Sequence, residues 1–249
     1  MLKKNGFKYI ENKKENIISF INDIEKIIDK NFDPKKNLNS LSFDNFNKLI
    51  FKTQNEINRK HHPINFAKRF PNIFKRELSS DKFYFQHYFY LRATRPANKV
   101  KGKQSINFHR ETFQGPKWFK NIFNLWIPIK NCSINNSLEY YPKSHKFILN
   151  KDFSIEEIDL PIKKRSYSHK VGNLYREKKI NFKKNISPKK LFKKGKTILF
   201  SGELIHGNVI NKANKIRFSL DARLILQKNF KRHIIQGSNN KAYFKKVIL

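Results

Sequence analysis

The sequence predicts a mainly β fold with flanking helices, an antiparallel double-sheet barrel of the jelly-roll type with its N-terminal helices packed outside. Three observations carry that prediction. Apolar residues before position 80 recur at helical spacing, whereas 81–228 consists largely of aromatic and β-branched runs separated by turn residues. At 249 residues and 38 % hydrophobic content the chain can bury one sizeable core. No internal repeat or low-complexity linker calls for a cut, so one domain over 1–249 is expected, with 1–80 as a helical cap.

Each element follows from local pattern. Ile17, Ile18, Ile21, Ile24, Ile27 and Ile28 recur at steps of three and four, which marks an amphipathic helix. A second helix starts at Ser42, a good N-cap, and carries Phe46, Leu49, Ile50, Thr53 and Ile57 along one face. A third helical stretch covers 65–76, where Pro71 threatens its continuity. Strands are expected at 83–94, 105–109, 124–129, 138–141, 197–200 and 216–226. The lysine-rich, weakly patterned segment at about 146–194 reads as an insertion or lid, and 229–249 as a C-terminal extension.

Composition narrows the function. A formal charge of +35 suits a polyanion partner. Yet only 11 of the 54 basic residues are Arg, the side chain whose fork suits phosphate, and the lysines are scattered rather than gathered into an arm. Lys, Asn, Ile and Phe share A/T-rich codons, so genome composition accounts for the bias more simply, and nucleic acid is not the expected partner. Cys132 is the single cysteine, which rules out an intramolecular disulfide and a thiolate metal cluster. No long apolar run and no export-type leader is visible, so a cytoplasmic protein without membrane insertion is expected. Any metal site must use His, Asp and Glu.

His109, Arg110 and Glu111 form an H-x-E step on a candidate strand, where residues two apart share a face. His109 and Glu111 would then point into the barrel and Arg110 away from it. His206 follows the strand-like run 197–200 and a turn at Ser201, Gly202 and Glu203. Two histidines and one carboxylate make a facial triad, which leaves three positions open on an iron(II) ion. Such a step also arises by chance among eight histidines, so its context matters. In the alternating run 216–220, Arg217, Ser219 and the following Asp221 share a face. A buried Arg on a core strand is costly unless it meets an anion, and a bound dicarboxylate would satisfy it.

The H-x-E step at His109 and Glu111, the segment from Asn136 to His145, and His206 followed by Arg217-x-Ser219 resemble the phytanoyl-CoA dioxygenase family. The resemblance spans 83–226 and implies a double-stranded β-helix of the cupin-like kind. It further implies dependence on iron(II), 2-oxoglutarate and O2. On this resemblance His109, Glu111 and His206 are the metal ligands and catalytic centre, and Arg217 and Ser219 bind the distal carboxylate of 2-oxoglutarate. The expected outcome is hydroxylation of a small-molecule substrate. The runs at Glu111 and 219–223 look more like the branch that serves antibiotic and cell-surface carbohydrate biosynthesis than the fatty-acyl branch. Three positions depart from the family pattern: Glu111 replaces the commoner Asp, and Ser137 and Lys143 stand where glycines are usual. The retained carboxylate disfavours the halogenating variant.

Other features carry less weight. Gly195, Lys196 and Thr197 echo a phosphate loop, but Lys190 stands where its first glycine belongs, so the start of a strand explains them better. His61 and His62 read as solvated at a helix end, and His145 as structural or outside the metal's immediate ligands. Trp118 and Trp126 read as core, and Cys132 has no identifiable catalytic partner. Gln86, His87, Arg92 and Arg95 are candidates to face the pocket. Two rival readings remain: a basic β-barrel binding a polyanion with structural histidines, and a cupin-like metal enzyme, such as an isomerase, that uses no 2-oxoglutarate.

Overall fold

The computed structural model of the protein describes residues 2–10, 17–33, 36–98, 108–114, 120–148, 153–158, 174–180, 189–191, 194–208, 210–229 and 244–249. Among these, six α-helices and twelve strands are formed. The helices are α1 (Leu2–Asn5), α2 (Ile17–Asn31), α3 (Phe43–Lys60), α4 (Pro63–Arg69), α5 (Pro71–Leu78) and α6 (Glu111–Gln114). The strands are β1 (Phe7–Ile10), β2 (Lys82–Gln86), β3 (Tyr90–Thr94), β4 (Ile122–Lys130), β5 (Leu138–Tyr140) and β6 (Phe153–Ile158). They continue with β7 (Leu174–Ile180), β8 (Lys189–Leu191), β9 (Thr197–Ser201), β10 (His206–Asn208), β11 (Arg217–Leu226) and β12 (Phe244–Ile248). No described helix is long and apolar enough to cross a membrane.

A seven-stranded antiparallel sheet runs in the order β1-β9-β4-β11-β2-β12, with β3 also paired to β11. A second sheet has the order β10-β5-β8, and β6 and β7 form a hairpin. The expected mainly β, cupin-like fold with flanking helices is therefore found. β11 is the central strand, meeting β4 along one side and β3 then β2 along the other. Its alternation separates two environments. Leu220, Ala222 and Leu224 join Phe83, Phe85, Leu125, Ile127, Ile129 and Leu199 in a core shared with the helices. Arg217, Ser219, Asp221 and Arg223 occupy the opposite, inner face.

The helices supply the other half of that core. Ile17, Phe20, Ile21, Ile24, Ile27 and Ile28 of α2 are buried, each burial contributing roughly 1.5–3 kcal/mol. α3 is capped as expected, with the Ser42 hydroxyl accepting from the Asn45 N–H at 3.2 Å, and it buries Phe46, Thr53 and Ile57. Between the two sheets Trp126, Leu138, Tyr140, Ile198, Phe200 and Leu204 form a second cluster.

Several expected boundaries need correction. The strand expected at 83–94 is two strands. The Asn58 amide brackets Phe89, accepting from its N–H at 2.6 Å and donating to its carbonyl at 2.8 Å, and this side-chain pairing replaces strand pairing there. The helix expected at 65–76 is likewise two, broken at Phe70, with Pro71 in the first turn of α5. Residues 1–80 do more than form a cap, because β1 pairs with β9 at one edge of the main sheet. The expected C-terminal extension contributes β12, the opposite edge strand. The expected insertion at 146–194 contains β6, β7 and β8. Of the strand expected at 105–109, residues 105–107 lie outside the described residues, as does Trp118.

Candidate metal centre

His109, Glu111 and His206 come together, each offering a ligand atom within 4.8 Å of the others. The expected continuous strand is not what does it. His109 and His206 form a single antiparallel bridge, exchanging backbone hydrogen bonds of 2.8 and 3.0 Å, after which the chain turns into α6 at Glu111. The Glu111 N–H donates to the Gly202 carbonyl at 2.9 Å, closing the carboxylate over the loop that leads to His206. The imidazole centroids lie 4.4 Å apart, and His206 Nε2 is 3.6 Å from Glu111 Oε1.

Neighbouring loops fix this arrangement. The Leu204 carbonyl lies 2.8 Å from His206 Nδ1; a carbonyl only accepts, so Nδ1 carries the proton and the Nε2 lone pair faces the cluster. Arg110 engages other partners than its neighbours do, donating to the Ser144 and Phe147 carbonyls at 2.5 and 2.7 Å and to Glu203 at 3.3 Å. Ser144 takes the Ile205 N–H at 2.8 Å, directly before His206. The segment at Ser144 thus braces the second histidine. His145, beside it, is outside the triad and packs on the chain at Gly6.

Glu111 is 5 % exposed. Burial alone would raise its pKa, but the Arg223 charge leads the interactions that outweigh burial and hold the carboxyl well below the usual carboxylate range. Arg223 donates to Oε2 through Nε at 3.1 Å and Nη2 at 2.7 Å, and the buried Asn124 amide donates to Oε1 at 3.1 Å. Sequence reading assigned no role to either residue. The signal for Arg223 was present, since it continues the two-residue step through Arg217, Ser219 and Asp221.

Arg217 is fully buried at the start of the same face. Its guanidinium donates to the Ser219 hydroxyl at 2.5 Å and the Thr94 hydroxyl at 3.0 Å, while Nε has no hydrogen-bond partner among the described residues. No carboxylate among the described residues forms an ion pair with it. Burial lowers its pKa, opposed by the nearby Cys132 and Asp221, but a guanidinium stays charged. Three guanidinium groups on this face, Arg92, Arg217 and Arg223, therefore meet two carboxylates, because Asp221 is taken by Arg92 and Glu111 by Arg223. A cation buried this way is stabilised by an added anion, and its fork suits a carboxylate. The His-Glu-His set suits a first-row divalent ion such as iron(II), so both groups that the sequence suggested fit the residues present.

The remaining candidates divide. Arg92, with Asp221 bound in bidentate fashion at 2.8–3.1 Å, sits on the inner face beside Tyr90, and each of the pair is about one-fifth exposed. Gln86 is fully buried and accepts the Arg223 N–H at 2.9 Å. Arg95 turns away from the site, donating to the Leu41 carbonyl at 2.6 Å over the Phe46 ring, which corrects the expectation that it could face the pocket. His87 lies in the break between β2 and β3, against Tyr88. His61 and His62 cap helices rather than standing free in solvent. Burial pushes the Cys132 thiol up to about 11, which removes it from nucleophilic roles. Trp126 is core, as expected.

A protein-family model described as phytanoyl-CoA dioxygenase (PhyH) matches residues 2–219. Solved structures share the fold. EvdO2 from Micromonospora carbonacea var. aurantiaca is 14 % identical with a TM-score of 0.59, covering 90 % of this chain and 88 % of its own. EctD from S. alaskensis, with 2-oxoglutarate and 5-hydroxyectoine, is 14 % identical at 0.52, covering 92 % and 74 %. The epimerase SnoN in complex with Fe3+, alpha ketoglutarate and nogalamycin RO is 10 % identical at 0.51, covering 99 % and 91 %. No curated protein sequence matches the chain.

Proposed function

The chain belongs to the phytanoyl-CoA dioxygenase family and is a 2-oxoglutarate-dependent, non-haem iron oxygenase; from that premise we propose that it hydroxylates a small, hydroxyl-rich molecule, such as a carbohydrate or another cell-surface or secondary-metabolite precursor. In this reading His109, Glu111 and His206 hold iron(II), and Arg217 with Ser219 holds the distal carboxylate of 2-oxoglutarate. The observation that carries it is Arg217: a fully buried guanidinium without an acidic partner among the described residues, on the sheet face that also serves Glu111.

Iron(II) with 2-oxoglutarate and O2 supplies the oxidising power, coupling decarboxylation of the keto acid to oxygenation of a substrate C–H bond. The chain's own residues bind, orient and exclude water. Arg217, braced by Ser219 and Thr94, fixes one end of the co-substrate, and so determines which way its keto acid end faces. Trp126, Phe200 and Leu204 keep the sheet interior apolar behind the histidines. Tyr90 offers an aromatic face and the Arg92–Asp221 pair offers donors and acceptors, a combination suited to the alternating C–H and O–H surface of a sugar. EctD and SnoN, two fold neighbours whose structures hold a small organic ligand as well as the keto acid, agree with a small-molecule substrate.

The test is anaerobic titration of the apo-protein with iron(II) and then 2-oxoglutarate, read by the visible charge-transfer band of the chelated keto acid. His206→Ala is expected to abolish metal binding. Arg217→Ala is expected to keep iron but weaken 2-oxoglutarate by about tenfold or more, since a charge-assisted hydrogen bond is worth roughly 1.5–3 kcal/mol. Unchanged affinity in Arg217→Ala removes that residue from the co-substrate site, and iron binding without any band favours a metal enzyme that does not use 2-oxoglutarate.

A further inference from the structure

We propose that Arg223 is a positioning residue that holds Glu111 to a single donor oxygen and so keeps a coordination position open for the reaction. The inference rests on the reading of His109, Glu111 and His206 as the metal ligands. Within that reading, the two carboxylate oxygens of Glu111 are not equivalent. Oε2 is taken by two N–H groups of Arg223, at 3.1 and 2.7 Å. Oε1 receives one N–H from Asn124 at 3.1 Å and faces His206 Nε2 at 3.6 Å, so its remaining lone pair is the one aimed at the histidines.

The need for such a clamp comes from Glu111 itself. It carries one more methylene than the Asp that the resemblance leads one to expect, hence one more rotatable bond with which to swing both oxygens toward an ion. A facial triad with one carboxylate oxygen leaves three positions open, two for a chelating keto acid and one for oxygen. With both oxygens bound, only two remain, and the keto acid and oxygen compete. Arg223 opposes that loss in two ways: its fork occupies Oε2, and its charge lowers that oxygen's attraction for a cation. Arg223 is itself anchored, its backbone N–H held by Gln86 at 2.9 Å and its guanidinium 5.8 Å from the Tyr90 ring centroid. Its side chain is 16 % exposed and that of Glu111 6 %, so little solvent screens the pair.

The test uses Co(II) in place of iron, because its d–d absorption reports coordination without turnover. Arg223→Met is titrated with Co(II) to saturation and then with 2-oxoglutarate, beside the native protein. The expected result is a d–d absorption altered before any keto acid is added and still weaker than native, as a higher coordination number requires, once 2-oxoglutarate is bound. A native Co(II) spectrum in folded Arg223→Met overturns the proposal. If Arg223→Met does not fold, Arg223→Lys takes its place, keeping the charge but not the fork. A smaller change in the same Co(II) spectrum is expected there, and a native spectrum overturns the proposal. Failure of the underlying reading is distinguishable, since the native protein would then bind neither Co(II) nor 2-oxoglutarate in a metal-dependent way.

Discussion

Lys143 adopts φ 67, in the left-handed region, at one of the two positions where the family resemblance leads one to expect glycine. Ser137, at the other, has no positive φ and is fully buried, so a side chain there brings no backbone strain. The difference yields a prediction. The Lys143 backbone N–H donates to the Asn5 carbonyl at 2.8 Å while its side chain is exposed, so the fold uses the turn and not the lysine. Lys143→Gly should stabilise the protein by about 0.5–1 kcal/mol, the relief of left-handed strain less the extra freedom of the unfolded chain. Thermal unfolding should show a Tm higher by about 1–4 °C, and a lower Tm would mean that the lysine side chain makes a contact outweighing the strain. At this scale the sequence was legible wherever residue type and period coincided. His109, Glu111 and His206 come together, though through a bridge and a turn into α6 rather than one strand, while Arg217 and Ser219 share a face of β11 as alternation predicted. The two-residue step put Arg223 on the face of Arg217 and Ser219, but its partner Glu111, like the role of Asn124, lies in contacts across the fold that no spacing encodes.

Elements were readable where they are long and amphipathic, as with α2 and α3, and unreadable where tertiary contacts set their ends. Asn58 of α3 divides β2 from β3, and Gln54 accepts the Leu91 N–H at 3.0 Å, so a helix face decides where a strand stops. β1 and β12 were missed for a different reason. Both are short edge strands that place lysine among apolar residues, Lys8 in β1 and Lys245 and Lys246 in β12, a composition that protects an open edge but resembles a polar loop. The α2–α3 pair carries its own prediction. Glu56 accepts from Asn31 at 2.9 Å and Lys30 at 3.0 Å, and these two hydrogen bonds pull its pKa from 4.5 to about 2 despite burial. A depressed carboxyl pKa stabilises the fold above its ordinary value and loses that contribution as the pH falls through the folded value. Glu56→Gln should therefore lower Tm at neutral pH, with the gap to the native protein closing between pH 4.5 and about 2. Lys30 is 70 % exposed, so solvent screening limits the effect to about 1 kcal/mol. A gap that persists unchanged below that window would place the loss in packing rather than in charge.

Across the whole molecule, the imbalance of charge governs how stability and binding respond to salt. With 54 basic and 19 acidic residues, one-to-one pairing would still leave 54 − 19 = 35 cations unmatched. Several acidic residues that α2 and α3 do offer are already engaged at the surface, as in Lys30–Glu56, Lys194–Glu25 and Lys130–Asp29. Salt weakens such pairs and also weakens the repulsion among the unmatched lysines, and the imbalance decides which effect wins. The screening length falls from about 30 Å at 0.01 M salt to about 8 Å at 0.15 M, so repulsion across the molecule is removed while contact pairs at 3 Å keep much of their attraction. Tm should therefore rise by a few degrees, on the order of 1 kcal/mol, between those concentrations. Non-specific binding to duplex DNA should weaken steeply over the same range, as counterion release requires. The buried Arg217 subsite lies beyond the reach of that screening, so metal-dependent 2-oxoglutarate binding should change little. Co-substrate affinity that falls in parallel with DNA binding would mean that the surface field, and not the buried guanidinium, holds the keto acid.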